Sequence, residues 1–238
     1  MTTVFAMPPR IALIHATALA IAPVADAFVR LWPEARLMNV LDDSLSADRA
    51  DAGALTAAMI DRFGTLAQYC VDTGADAILF TCSAFGPAIE AARNVVSVPV
   101  IKPNEAMLSE ALDKAAAGGS GRLALIATFE PSLGSIAEEL EALARDRRQT
   151  IEIKTRHVPG AMSALGEGDG KRHDDLIATA LDEWDGWRDC DALLLSQFSM
   201  ARARQSVEAR AGLPVLVSTD SAVAAIRRDM ALRSTTAA

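Results

Sequence analysis

Three short apolar stretches of this chain occur twice, in the same order. Asp76-Ala77-Ile78-Leu79-Phe80-Thr81 returns 115 residues later as Asp191-Ala192-Leu193-Leu194-Leu195-Ser196, and the same offset pairs Pro99-Val100-Ile101 with Pro214-Val215-Leu216. Arg10-Ile11-Ala12-Leu13-Ile14 returns 112 residues on as Arg122-Leu123-Ala124-Leu125-Ile126. One match between short apolar runs is weak; three in one order at nearly one offset mark a duplicated unit. These β-rich runs alternate with longer helical stretches, a pattern that builds parallel sheets covered by helices on both faces. The expected fold is therefore α/β: two similar lobes related by a pseudo-twofold axis, each a mostly parallel sheet flanked by helices, with an active-site cleft between them. Residues 1–103 plus about 216–238 are expected to form lobe one, which carries Cys82. Residues 104–215 are expected to form lobe two, which carries Thr128 and Gln197. Residues 48–73 read as one long amphipathic helix stopped by Gly74, and residues 159–170 as a Gly-rich loop.

Several classes of function are disfavoured. Lys and Arg number 23 against 31 Asp and Glu, a net charge of −8, and an acidic chain without a basic stripe is a poor nucleic-acid binder. The densest basic stretch, Arg145, Arg147 and Arg148, follows Glu138, Glu139 and Glu141 and reads as a solvated helix face. No apolar run approaches the ~18 residues of a membrane span. MTTVFAMPPR lacks a charged segment followed by an apolar one, so no secretory leader is expected and the location is expected to be cytoplasmic. Cys70, Cys82 and Cys190 are few, odd in number and far apart, which argues against a disulfide framework. No metal site is expected without a CxxC pair or clustered histidines. HATALA follows the first strand where a dinucleotide fold needs glycines, and no G-x-S-x-G elbow is present.

In open α/β sheets ligands bind outside the carboxyl ends of the strands. The loops that begin there are at His15, Asp42, Cys82, Thr128 and Gln197. Cys82 lies between a buried strand and a helix start, where peptide N–H groups favour an anion and lower a thiol's pKa. Ser83 offers a hydroxyl beside it. Cys70, on an amphipathic helix, and Cys190, just before a strand, read as core thiols. Thr128 and Ser132 make a carboxylate cradle with the free N–H groups of the next helix, or cap it in the ordinary way. His15 either orients substrate and donates a proton or is a structural, hydrogen-bonded histidine.

ILFTCSAFGPAIEAAR with VPVIKPNEA, LALIATFEPSLGS, and ALLLSQFSMA with LPVLVSTDSA carry a resemblance over nearly the whole chain. In these segments the chain resembles the aspartate/glutamate/hydantoin racemase superfamily. That group includes cofactor-independent amino-acid racemases, arylmalonate decarboxylase and maleate isomerase. In its racemases two cysteines face each other across the substrate α-carbon, one removing a proton and the other returning one. Cys82 falls on the first position, and the repeat puts Gln197 on the second. Gln197 cannot do acid–base chemistry at neutral pH, and Ser199, two residues on, has an unactivated hydroxyl. The resemblance implies proton transfer at the carbon α to a carboxylate of a small acid or amino acid, through an enolate-like intermediate and without cofactor or metal. Cys82, Gln197 and Ser199 are then the expected catalytic positions, and His15, Ser83, Thr128 and Ser132 the substrate contacts. The implied partners are a small carboxylate substrate and a second copy in a homodimer. A racemase is the leading reading and a one-cysteine decarboxylase the next. A two-lobed carboxylate-binding protein without turnover, and covalent chemistry on Cys82, stand as alternatives.

Overall fold

The computed structural model describes residues 7–236, so the first six residues of the stretch read for a leader lie outside the described residues. The chain forms two units, one made of residues as far as Pro103 together with those from Ala222 on, the other of Asn104–Ser221. The first unit contains β1 (Arg10–His15), α1 (Ile21–Leu31), β2 (Arg36–Leu41), α2 (Ser44–Ala52), α3 (Ala57–Asp72), β3 (Ala77–Phe80), α4 (Gly86–Arg93) and β4 (Val100–Ile101). The second contains α5 (Glu105–Gly118), β5 (Arg122–Ala127), α6 (Glu130–Asp146), β6 (Glu152–His157), α7 (Ala161–Gly166), α8 (Gly170–Asp182), β7 (Ala192–Leu195), α9 (Arg204–Ala211) and β8 (Val215–Val217). A last helix, α10 (Ser218–Thr236), begins in the second unit and supplies the returning residues of the first. All pairings are parallel, in the order β2-β1-β3-β4 in one sheet and β6-β5-β7-β8 in the other. The chain is thus α/β with two similar four-stranded lobes, as the repeat predicts.

The pattern of side chains explains the layering. A strand's side chains alternate between faces, so a central strand covered on both sides must be apolar throughout. In β5, Leu123 and Leu125 join the core under α5 and α6, while Ala124 and Ile126 join the core under α8 and α9. In β7, Ala192 and Leu194 follow the first pair and Leu193 and Leu195 the second. The edge strands β2 and β6 carry polar residues and are partly exposed. The duplication extends to single hydrogen bonds. Asp76 and Asp191 donate their N–H to Arg10 O (2.8 Å) and Arg122 O (2.7 Å), and Thr81 and Ser196 donate theirs to Ile14 O (3.0 Å) and Ile126 O (3.1 Å).

Two stretches depart from the sequence reading. The helix expected over 48–73 is two helices, because Gly53 takes a left-handed conformation (φ 67°) that ends α2. Thr56 then caps α3 by accepting the Met59 N–H at 3.3 Å. The Gly-rich stretch 159–170 contains α7, whose Ala161 and Ala164 are buried, so packing overrides a composition that reads as loop.

Candidate active site

A sheet whose order reverses direction at its centre leaves a crevice where neighbouring strands send their loops opposite ways. In the first unit that point lies between β1 and β3, and in the second between β5 and β7. It brings His15 beside Thr81 in one unit and Thr128 beside Gln197 in the other.

In the first unit His15 is wholly buried. Its Nδ1 lies 2.8 Å from Thr81 Oγ1 and its Nε2 3.0 Å from Asn39 Oδ1. Both ring nitrogens are engaged, and burial holds the imidazole below its ordinary pKa although the Asn39 bond opposes this. His15 thus ties β1 to β2 and to the Cys82 loop.

Cys82 follows β3 directly in extended backbone and leads into a short helical turn, Ser83–Phe85. Phe85 is buried, with its ring centroid 5.0 Å from that of Phe63, which stacks on Phe80 at 5.1 Å. This aromatic cluster fixes the loop that carries the thiol. The Cys82 thiol is raised above its ordinary value by burial, and the Ala84 N–H and the charge of Arg49 pull the other way. Desolvation thus outweighs one N–H and one cation. Arg49, from α2, has its guanidinium carbon 5.3 Å from the centroid of Phe85. Sequence reasoning missed it because it sits in the run read as one helix. The Ser83 hydroxyl has no hydrogen-bond partner among the described residues. Asp42, at the end of β2, is taken by Arg62 at 2.5 Å.

In the second unit Gln197 Oε1 accepts the Thr128 N–H at 2.6 Å and the Thr128 Oγ1 hydroxyl at 2.8 Å. Ser132 donates its hydroxyl to Phe129 O at 2.7 Å. The Thr128 hydroxyl is thus bonded to Gln197 and the Ser132 hydroxyl to the backbone of its own turn. Ser199 is half-buried in the turn after Gln197, and Phe129 is exposed beside Thr128. Cys70 and Cys190 are core thiols, each pushed up to about 11 chiefly by burial.

Among the described residues no group of three or more His, Cys, Asp or Glu is placed to hold a metal ion. Nor is any described helix long and apolar enough to cross a membrane. In the first unit the strand end holds the Cys82 thiol and the Ser83 hydroxyl, and in the second it holds the Gln197 carboxamide and the Ser199 hydroxyl.

The Asp/Glu/Hydantoin racemase family model matches residues 33–226. No curated protein sequence matches the chain. Among solved structures, glutamate racemase from Bacillus anthracis is similar with a TM-score of 0.70 at 14% identity, covering 94% of this chain and 82% of that one. Aspartate racemase from Picrophilus torridus gives 0.69 at 15% identity, covering 93% and 94%. Arylmalonate decarboxylase gives 0.60 at 21% identity, covering 92% of each chain. At these identities the likeness is one of fold.

Proposed function

The chain belongs to the Asp/Glu/hydantoin racemase family, and from that membership we propose that it is a cofactor-independent enzyme that moves a proton at the carbon α to a carboxylate, with Cys82 as the acid. The observation that carries this reading is the asymmetry of the duplicated positions. One strand end bears a thiol that burial raises above its ordinary pKa, and its counterpart bears Gln197, which neither gains nor loses a proton near neutral pH. Racemisation through two exchanging groups needs an acid on one face and a base on the other. Here a single group delivers a proton, and it delivers it to one face.

A thiol that rests protonated needs an enolate made without a base. Decarboxylation of an acid with two carboxylates on one carbon makes one. The bond from that carbon to one carboxylate breaks, CO2 leaves, and the electron pair stays as the enolate of the remaining acid. Cys82 then gives its proton to the α-carbon, and water restores the thiol. The Arg49 charge favours the transient thiolate. Ser83 and Ser199 are proposed as substrate contacts, while His15, Thr128 and Ser132 hold the loops in place.

A second reading, racemisation of an amino acid, is favoured by the family's own description. One experiment separates the two. Aryl- and alkylmalonates, aspartate and glutamate are incubated with the protein in D2O and followed by NMR and chiral chromatography. The expected result is a monocarboxylic acid with one deuteron at the α-carbon, in one enantiomer, and a loss of roughly 10²–10⁴-fold in Cys82→Ala. Loss of optical activity in a single amino-acid enantiomer supports the racemase instead. Turnover by Cys82→Ala as fast as wild type defeats both.

A further inference from the structure

Gln197 stands where the duplication places a counterpart to Cys82, and its orientation is fixed by chemistry. The Thr128 backbone N–H, 2.6 Å away, can only donate, so the amide atom facing it must be the oxygen. The Thr128 hydroxyl, at 2.8 Å, occupies the other side of that oxygen. Both lone pairs of Oε1 are thereby used, and the two N–H bonds of Nε2 are turned away from Thr128. No described residue accepts them, and Nε2 is not among the enclosed polar atoms that lack a partner. A half-buried carboxamide anchored at its oxygen presents two preoriented donors and no acceptor, a surface that suits an oxyanion and not a cation.

We propose that Gln197 is an oxyanion-binding catalytic residue, whose amide N–H bonds hold a carboxylate or enolate oxygen of the substrate, and that Thr128 positions it. The proposal rests on the proton-transfer reading and gives Gln197 the task of an electrophile. Charge that grows on the enolate oxygen during decarboxylation meets donors that need not reorganise. Loss of one such donor elsewhere costs about 10²–10³-fold in kcat.

Gln197→Glu tests this sharply. A carboxylate of the same shape still accepts both Thr128 hydrogen bonds, so the loop keeps its anchor, but it has no N–H to give and adds a negative charge. Turnover of a malonate substrate is expected to fall by about 100-fold or more while the melting temperature holds. Turnover within about threefold of wild type overturns the proposal, since a residue that only ties the loop would survive the change. Thr128→Val and Thr128→Ser give an independent readout. Val is expected to lower kcat about tenfold with little change in KM, and Ser to restore it; equal kcat in the two overturns the positioning role. Calorimetric titration with malonate separates this proposal from the reading it rests on. If the wild type turns over nothing, that reading fails. Malonate binding weakened about tenfold by Gln197→Glu and unchanged in Cys82→Ala then still sustains the donor role. Equal behaviour of wild type and Gln197→Glu toward malonate, absent binding included, overturns it.

Discussion

Cys70, Cys82 and Cys190 share a chemistry and differ in their surroundings. Burial raises all three thiols, but only Cys82 combines a strand-end position with a cation, Arg49, and a neighbouring N–H. An acid whose pKa lies above its ordinary 9.0 stays protonated across the neutral and mildly alkaline range. The rate of proton delivery is therefore expected to be flat between pH 7 and pH 9 and to fall only above the ordinary thiol value. A stopped assay across that range checks this; a decline beginning between pH 7 and 8 would mean that the thiolate is already present there. The place of Cys82 was legible, since the repeat and the strand-end rule both point to it. The direction of its pKa was not: a helix start argues for a lower value, whereas burial against the core that holds Phe80 and Phe85 raises it. Thr128 was legible as a loop residue, but its bond to Gln197, 69 residues on, was not. Sequence places a donor at a strand end without saying which way it turns.

Arg49 comes over Phe85 from the last turn of α2, which stops at Ala52 where the chain turns at Gly53. Hydrophobic spacing across 48–73 is nearly continuous, which is why it reads as one helix; a single left-handed glycine and the Thr56 cap decide otherwise. No atom crowds a Cβ at Gly53, so substitution there meets only the backbone penalty. Gly53→Ala is expected to cost about 1–2 kcal/mol, measured by urea unfolding, because an L side chain disfavours the left-handed region. An unchanged midpoint would show that the turn relaxes without strain. The strands were far more legible than the helices between them. A strand buried on both faces must be apolar at every position, and that continuous signal survives in β1, β3, β5 and β7. The short α7 was missed for the opposite reason: its stability comes from Ala161 and Ala164 packed in the core, which glycine-rich flanks conceal.

The second unit is continuous in the chain and the first is not. Residues from Ala222 on return to it within α10, where Val223 and Ile226 are fully buried. Arg227 donates to Leu31 O at 2.6 Å and Arg233 to Ser97 O at 3.4 Å. Burying an aliphatic side chain is worth about 1.5–3 kcal/mol, so two of them are a large share of a domain's margin. Removal of residues 222–238 is expected to lower the melting temperature by about 5 °C or more and to abolish Cys82-dependent turnover. Calorimetry and the deuterium assay check this, and a truncated chain with wild-type behaviour would show that the returning helix is dispensable. The discontinuity also sets an order of events at the ribosome. All of Asn104–Ser221 is synthesised before the residues from Ala222 on that complete the β1–β4 half. The half that carries Cys82 is thus begun first and finished last.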